Sequence, residues 1–394
     1  MHCRPHFDSL RRACPIAAYP VHPGSEETMN PSQAHIQIEH VSKSFGSFAA
    51  IRNVSLDIPA GSFTTLLGPS GCGKTTLMRL IAGFNEPDSG IIRIDGRPVN
   101  GLPAFKRQTP LVFQDYALFP HMTVEENIAY GLKLQKASRS ESRRKVDDML
   151  GMFGLDGLGS RLPKELSGGQ QQRVAFARAL VTGQKILMMD EPLSNLDAKM
   201  RVEVRQELRE LQRRTGITAV FVTHDQDEAL SMSDRIAVFE QGSIRQAGTP
   251  WEIYFKPNDA FVASFVGTAN FIRGQIAEIK GGELIVRCEP SVIRIPSHGR
   301  HYVVGEEIAM VVRPECISIG ADGEGGIEAV PCWSGEIQSS SFLGRMIRYE
   351  VRCGSATFLV DDADPSARGF LQGSVTLRLD PERIHVLPGS GRKE

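Results

Sequence analysis

A glycine-rich loop that ends in a lysine and two threonines is the clearest chemical feature of this sequence. Residues 68–75 read GPSGCGKT and match the pattern G-x4-G-K-[ST]. In such a loop, successive backbone N–H groups surround a β-phosphate, Lys74 neutralises β- and γ-phosphate oxygens, and the Thr75 hydroxyl ligates Mg²⁺. The candidate nucleotide contacts are Gly68, Pro69, Ser70, Gly71, Cys72, Gly73, Lys74, Thr75 and Thr76.

Two adjacent carboxylates follow a second apolar run. Residues 186–189 read ILMM and lead directly into Asp190 and Glu191. A carboxylate in this position is suited to hold Mg²⁺ through water, which we assign to Asp190, and the next one is suited to polarise the water that attacks a γ-phosphate, which we assign to Glu191. Alone, the pair would be read as a solvated strand end. The phosphate loop in the same chain favours the functional interpretation.

A third motif combines a serine with two glycines. Residues 166–170 read LSGGQ, and the helical segment after them carries Arg173 and Arg178. A serine and two glycines that open a helix form a second anion-binding helix N-terminus. In isolation a flexible Gly-Gly turn is an equally good interpretation. Because the other two motifs occur in the same chain, we favour an anion site. The candidate anion-binding residues are Ser167, Gly168, Gly169 and Gln170.

The elements around these motifs predict an α/β domain. The phosphate loop lies between a predicted strand over 63–67 and a predicted helix over 75–82, as its pattern requires. Between residues 124 and 180 only helical patterns occur, the longest over 138–152, so this stretch is a predicted helical insertion. The further predicted buried strands, typical of a mostly parallel sheet, cover 111–113, 186–189, 218–222 and 236–239.

After Gly267 the pattern changes to short β-rich runs separated by glycine-rich turns. This change predicts a second, small all-β domain that starts near residue 270. The predicted strands cover 274–279, 284–288, 308–312, 335–337 and 347–351.

Composition limits the classes of function that remain. A chain of 394 residues has room for two or three domains. Its 45 Lys and Arg against 46 Asp and Glu leave a net charge of −1, so no bulk electrostatic attraction to nucleic acid is expected. No apolar run reaches the roughly 18 residues that span a bilayer. The odd, scattered set of seven cysteines predicts neither a disulfide framework nor a zinc site.

The order of the motifs resembles that of the ATP-binding subunits of ATP-binding-cassette (ABC) transporters, over roughly residues 35–265. The resemblance implies that Phe45 stacks on adenine and that Gln114 contacts Mg²⁺ and the attacking water. It also implies that His224 holds the γ-phosphate. In this family Asp197 belongs to a loop that crosses a dimer interface, where Asn195 of this chain replaces the more usual alanine.

The resemblance implies an ATPase that uses ATP and Mg²⁺, built as a phosphate-loop NTPase with a RecA-like, mostly parallel sheet, an antiparallel β subdomain and a helical insertion. If the Ser167 helix lies on the insertion, one nucleotide touches both anion sites only when they come from different protomers, which predicts a head-to-tail homodimer. The C-terminal part resembles the small OB-like barrel called TOBE, with ligand sensing and dimer packing as open alternatives.

These expectations give three segments: a disordered N-terminal extension over 1–34, an ABC ATPase domain over 35–268 with its helical subdomain at about 115–180, and a β-rich domain over 269–394. Met29 is an alternative start of translation. We expect a peripheral subunit on the cytoplasmic face of the inner membrane, with membrane permease partners, indirectly a solute-binding protein, and no nucleic acid. A cassette protein without a permease is the alternative class.

The resemblance is strongest to polyamine importers, with ferric iron, 2-aminoethylphosphonate and sulfate importers as alternatives. Two local features stay open. The aromatic residues after Gln114, including Tyr116 and Phe119, form either a groove that receives a permease helix or part of the core. Cys72 is either a small loop filler, which we prefer, or a reactive thiol at a helix N-terminus.

Overall fold

The computed structural model describes residues 34–321, 332–364 and 369–388. The extension predicted over 1–34 therefore lies outside the described residues, apart from Ala34, where the first strand begins.

The described helices are α1 (Lys74–Ala82), α2 (Ala104–Arg107), α3 (Val124–Leu134), α4 (Arg139–Met152), α5 (Gly168–Leu180), α6 (Ala198–Thr215), α7 (Gln226–Met232), α8 (Pro250–Phe255) and α9 (Ala260–Phe265). The strands up to the end of the α/β part are β1 (Ala34–Phe45), β2 (Phe48–Pro59), β3 (Phe63–Leu67), β4 (Ser89–Ile94), β5 (Arg97–Pro98), β6 (Leu111–Val112), β7 (Ile186–Asp190), β8 (Thr218–Thr223), β9 (Arg235–Glu240) and β10 (Ser243–Gly248).

The strands that follow are β11 (Asn270–Lys280), β12 (Glu283–Cys288), β13 (Val292–Pro296), β14 (Glu307–Val312), β15 (Ile317–Ala321), β16 (Cys332–Phe342), β17 (Ile347–Cys353), β18 (Ala356–Asp362), β19 (Ser374–Leu379) and β20 (His385–Val386).

A six-stranded sheet in the order β10-β9-β3-β8-β7-β6 forms the centre of the α/β part. Strand β3 runs parallel to β8 and β9, and β7 runs parallel to β8 and β6, whereas β10 pairs antiparallel with β9. Every residue of β3, β7 and β8 is buried, which explains why these strands show no regular alternation of apolar and polar residues. The predicted mostly parallel sheet is confirmed.

A second, antiparallel sheet in the order β2-β1-β4-β5 covers α1. Ile36 and Ile58 from this sheet share one buried core with Leu77 and Leu80 of α1. Strand β2 starts at Phe48, because Phe45 and Phe48 pair at the tight turn between β1 and β2. This sheet is the expected antiparallel β subdomain.

Helices α3, α4 and α5 lie between β6 and β7, as the sequence predicts for residues 124–180. Thr123 caps α3 in a capping box with Glu126, and Ser138 caps α4 through Glu141 N. Their apolar faces join a core that also contains residues of β7, so the insertion packs onto the sheet that carries Asp190.

The C-terminal part contains two five-stranded antiparallel sheets, ordered β13-β12-β11-β14-β20 and β15-β19-β16-β17-β18. Alternating residues of both sheets, including Trp333 and Tyr349, are buried in one shared core. The all-β fold predicted for the C-terminal part is confirmed. The boundary predicted at residue 268 falls between α9 and β11.

Arg313, just after β14, joins the β-rich part to the α/β part. Its side chain is buried and donates hydrogen bonds to the carbonyls of Tyr254 (2.7 and 3.0 Å), Ala263 (2.8 Å) and Thr268 (3.0 Å). The guanidinium also lies 4.0 Å from the centre of the Tyr254 ring. One buried cation thus contacts α8, α9 and the chain that leads into β11.

Candidate functional site

The phosphate loop lies between the end of β3 and the start of α1, in the strand-loop-helix context that its pattern predicts. Gly73 precedes α1 with a φ of 109°, and a Cβ built there would lie 2.5 Å from the Ala50 carbonyl oxygen. Only glycine tolerates both the positive φ and this close approach. The loop can therefore present its backbone N–H groups in a tight turn at the N-terminus of α1.

Lys74 is buried at the first position of α1, with 4% of its surface exposed. Its Nζ donates hydrogen bonds to the carbonyls of Gly68 (2.7 Å) and Pro69 (2.9 Å), so the ammonium lies over the loop. Cys72 is also buried, and this burial raises the pKa of its thiol. The structure favours the loop-filling interpretation of Cys72 over a reactive thiol, because a raised pKa lowers the thiolate fraction.

Thr75 and Asp190 meet although 115 residues separate them in sequence. The Thr75 hydroxyl donates to Asp190 Oδ1 at 2.8 Å. Burial raises the pKa of Asp190, while the Thr75 hydrogen bond and then the charge of Arg79 act in the opposite direction. The structure thus places a hydroxyl and a partly desolvated carboxylate beside the phosphate loop.

Glu191 and His224 form a second pair next to the first. His224 Nδ1 lies 3.1 Å from Glu191 Oε2. Glu191 adopts a φ of 46°, and its N–H donates to the Val222 carbonyl at 3.1 Å, which fixes the end of β7 to the end of β8. A positive φ at a glutamate costs free energy and is typical of functional sites. About half of the His224 side chain is exposed.

The backbone of Gln114 is bonded to Asn195, in the loop that follows Glu191. The Asn195 Nδ2 donates to the Gln114 carbonyl at 2.9 Å, and both residues are exposed. Phe45, at the end of β1, is 48% exposed, with Lys43 Nζ 5.6 Å from its ring centre. An exposed ring beside a cation is available for stacking.

The Ser167 motif opens α5 as predicted. Ser167 Oγ accepts from Gln170 N at 3.4 Å, and Gln170 Oε1 accepts from Ser167 N at 3.0 Å, which is a capping box. Gly169 is packed so closely that a Cβ there would lie 2.4 Å from Met200 Cε. Within residues 34–321, none of the hydrogen bonds of this motif reaches the phosphate loop of the same chain. Asp197 caps α6 through Met200 N at 2.9 Å.

A polar network behind His224 was not predicted from the sequence. The Thr223 hydroxyl donates to Glu228 Oε2 at 2.6 Å and accepts from Asp225 N at 3.0 Å. Arg201 of α6 approaches from the other side, with one terminal nitrogen 3.6 Å from Asp225 Oδ2. The spacing of Asp225 and Glu228, typical of a capped helix start, is the signal that could have indicated the α7 part.

The aromatic residues after Gln114 were expected either to form a groove for a permease helix or to belong to the core, and the structure contains both kinds. Tyr116 is 4% exposed and belongs to the core. Phe119 is half-buried, 4.6 Å from the Tyr130 ring centre and 5.3 Å from the Arg178 guanidinium, whereas His121 is exposed. Tyr116 therefore does not line an exposed groove, while Phe119 and His121 remain at the surface.

The sequence matches two family models, the ABC transporter family over residues 51–194 and the TOBE domain over 310–387. The chain is 49% identical to the Fe(3+) ions import ATP-binding protein FbpC of Rhizobium etli over 83% of this chain and 91% of that protein. It is 42% identical to the spermidine/putrescine import ATP-binding protein PotA of Thermobifida fusca over 94% and 98%. This chain belongs to the ATP-binding subunits of ABC importers.

The ABC importer family accounts for the fold and for the enzyme class, since its ATP-binding subunits hydrolyse ATP to drive transport. Among solved structures, CbiO1 of Clostridium perfringens, part of the ABC transporter complex cbiONQ, is 31% identical and covers 56% of this chain and 90% of its own length, with a TM-score of 0.53. The dimeric bacterial ABC transporter cassette MJ0796 is 33% identical over 55% and 98%, with a TM-score of 0.50.

The resemblance to an ABC importer subunit with a TOBE domain, the fold class and the ATPase activity are thus confirmed. Among the described helices of this importer subunit, none is long and apolar enough to cross a membrane. Within residues 34–321, 332–364 and 369–388, no three His, Cys, Asp or Glu side chains cluster as a metal site.

Proposed function

We propose that this ABC importer subunit hydrolyses ATP to drive uptake of ferric iron through a membrane permease. The observation that supports iron is the similarity to FbpC proteins. Besides the Rhizobium etli protein, those of Agrobacterium fabrum and Rhizobium meliloti are each 47% identical over 97–98% of their length. The match extends over nearly the whole length of these relatives and so includes the C-terminal domain as well as the cassette.

Polyamine uptake, the first expectation from sequence, is the second candidate. It is supported by the PotA relative, which matches across 98% of its length at 42% identity. 2-Aminoethylphosphonate and sulfate stay alternatives from the resemblance alone. All these candidates share the same ATP-driven step, because the transported solute need not contact this subunit.

In the proposed site the phosphate loop holds the nucleotide. The N–H groups of Gly71, Gly73 and their neighbours bind the β-phosphate, and Thr76 contacts the α-phosphate side of the loop. The Lys74 ammonium, now bonded to two loop carbonyls, exchanges these weak neutral acceptors for β- and γ-phosphate oxygens. Phe45 stacks on the adenine ring.

The donor set beside the loop fits Mg²⁺. The Thr75 hydroxyl and the Asp190 carboxylate are hard oxygen donors that lie 2.8 Å apart, and the resemblance to ABC subunits assigns Gln114 as a further ligand. A magnesium ion bound there supplies charge neutralisation for the phosphates. The buried Asp190, whose pKa is raised by desolvation, gains a compensating positive charge when the cation binds.

Glu191 polarises the attacking water, and His224 holds the γ-phosphate. Their contact at 3.1 Å keeps the imidazole oriented while the carboxylate retains one free oxygen for water.

A second protomer completes the site. The Ser167–Gln170 motif makes its described hydrogen bonds within its own helix, so we assign its anion-binding end to the nucleotide of a partner subunit. Asp197 and its loop lie at the interface in this arrangement. The MJ0796 cassette is itself described as dimeric. Each γ-phosphate then draws two protomers together, and hydrolysis releases them.

The permease and the membrane complete the proposal. We place the subunit peripherally at the cytoplasmic face of the membrane, beneath permease subunits that receive solute from an extracytoplasmic binding protein. Phe119, at the surface beside Tyr130 and Arg178, lies at the start of the helical segment and is the residue we assign to the permease groove.

Uptake measurements test this function. In a strain that lacks this chain, the wild-type gene should restore uptake of radiolabelled ferric iron but not of spermidine, and Glu191→Gln should restore neither. Restoration of spermidine uptake alone would select the polyamine candidate. Restoration of either solute by Glu191→Gln would contradict the ATP-driven mechanism itself.

Phe119→Ala tests the groove separately. We expect it to keep ATP hydrolysis in the purified subunit and to lower uptake. Undiminished uptake per ATP hydrolysed would overturn the assignment of Phe119 to the permease contact.

A further inference from the structure

The loop from Ser194 to Asp197 is attached to the catalytic region at several points. The Ser194 hydroxyl donates to the Glu191 carbonyl at 2.9 Å. Asp197, at the other end of the loop, caps α6 through Met200 N. The loop is therefore short and anchored at both ends, so its middle residues cannot move without moving what they contact.

Asn195, in the middle of this loop, makes a contact that its neighbours do not. Its Nδ2 donates a 2.9 Å hydrogen bond to the Gln114 carbonyl, which lies 81 residues earlier in the chain. Gln114 follows β6, the outermost strand of the parallel sheet, and precedes the helical segment. The bond thus joins the loop before α6 to the start of the helical segment within one protomer.

Arg201 of α6 links the same loop to Asp225, the residue after His224. Arg201, one helical turn beyond the loop, donates to the Leu196 carbonyl at 3.2 Å and lies 3.6 Å from Asp225 Oδ2. Ser194 and Asn195 thus bond directly to the Glu191 and Gln114 carbonyls, whereas Leu196 is joined to the His224 segment through Arg201. A shift of this loop would therefore displace the Glu191, Gln114 and His224 segments.

We propose that Asn195 is a positioning residue that couples the Ser194–Asp197 loop to Gln114 and so sets the rate at which bound ATP is hydrolysed. The proposal rests on the proposed function, because Gln114 is assigned there to the attacking water. The required group is specifically a hydrogen-bond donor. Alanine offers no donor, and aspartate has the same shape as asparagine but only acceptor oxygens at neutral pH.

The test compares Asn195→Ala and Asn195→Asp in the full-length chain, with Asn258→Ala, an exposed asparagine between α8 and α9, as matched control. We expect kcat for ATP to fall about three- to tenfold in both Asn195 variants, because Gln114 is then no longer held in position. The KM for ATP should not change, because the phosphate loop is untouched. The melting temperature should not change either, because the Asn195 hydrogen bond is exposed and water can replace it. The Asn258 control should match the wild type.

Four outcomes decide the proposal. A fall in kcat in both Asn195 variants with unchanged KM and melting temperature supports it. Wild-type kcat in both variants overturns it. Loss of rate in the alanine variant alone also overturns it, since side-chain volume rather than donation would then matter. A fall in melting temperature that parallels the fall in kcat assigns Asn195 a merely structural role.

Lys74→Ala and Glu191→Gln separate this inference from the proposed function. If both abolish turnover while the Asn195 variants are unaffected, only the coupling by Asn195 fails. If neither abolishes turnover, the proposed function fails, whatever the Asn195 variants show.

Discussion

Replacing Arg313 should detach the β-rich domain from α8 and α9. Arg313→Met keeps the length and apolar stem of the side chain but removes every donor, so the carbonyls of Tyr254, Ala263 and Thr268 lose their partners. Hydrogen bonds from a charged donor contribute about 1.5–3 kcal/mol each. Three acceptors at this value sum to about 4.5–9 kcal/mol, which is the upper limit for the loss of stability.

An opposing effect reduces this limit. Burial lowers the pKa of the Arg313 guanidinium, since holding a cation in the interior costs free energy. Methionine removes this cost, which is several kcal/mol for a buried ion. The net loss we expect is about 3–4 kcal/mol, at the level measured when one partner of a buried charged contact is removed. With a urea dependence of about 2 kcal/mol per M for a domain of this size, the midpoint should fall by about 1.5–2 M.

The two tryptophans of the sequence allow the unfolding of each domain to be measured separately. Trp251 lies on α8, next to the Arg313 contact, and Trp333 lies in the core of the β-rich domain. Urea unfolding followed by fluorescence in Trp251→Phe and Trp333→Phe backgrounds reports each domain. In the wild type the two transitions should coincide, and in Arg313→Met they should separate.

Arg352→Met is the matched control, because Arg352 and its partner Glu336 are both more than half exposed. An exposed ion pair contributes at most about 1 kcal/mol. The urea midpoint of Arg313→Lys should lie between those of Arg313→Met and Arg352→Met, since one ammonium cannot reach carbonyls on several sides. If Arg313→Met unfolds at the same urea concentration as Arg352→Met, the reasoning about the buried contact is refuted.

Three further outcomes are expected. Glu191→Gln, which we expect to bind ATP without hydrolysing it, should form a dimer on addition of ATP in size-exclusion chromatography, and a monomer at saturating ATP would count against the head-to-tail dimer. Gly73→Ala should lose ATP affinity and about 2–3 kcal/mol of stability, because its Cβ would meet the Ala50 carbonyl at 2.5 Å in a left-handed conformation; unchanged urea unfolding would contradict this. Burial lowers the pKa of His385 from 6.5 to about 4 against the opposing hydrogen bond to the Pro257 carbonyl, so the unfolded chain binds a proton first as the pH falls. The stability should thus fall between pH 6.5 and pH 4, by up to about 2 kcal/mol after allowance for solvent, and His385→Gln should lessen this dependence in urea titrations.

The sequence by itself determined the parts of this protein whose physics is local. The Gly68–Thr75 loop is defined by eight consecutive residues, since glycine alone permits its positive φ angles, and its place between β3 and α1 follows from the adjoining apolar patterns. The Ser167 capping box and the apolar runs of β7 and β8 depend on neighbours within a few residues as well. The motif order was sufficient to indicate the family.

The tertiary structure decided which of these motifs meet. The contact of Thr75 with Asp190 joins residues 115 positions apart, and that of Asn195 with Gln114 joins residues 81 apart. Strand order places them together, and no local pattern encodes a pairing across the sheet. For the same reason Tyr116, an exposed aromatic residue in one sequence-based interpretation, is core in the structure, because the helices that cover it begin beyond its own segment. Arg313 is the clearest case, since an arginine after a strand is ordinarily solvated, and only the packing of two domains around it makes it a buried donor to three carbonyls.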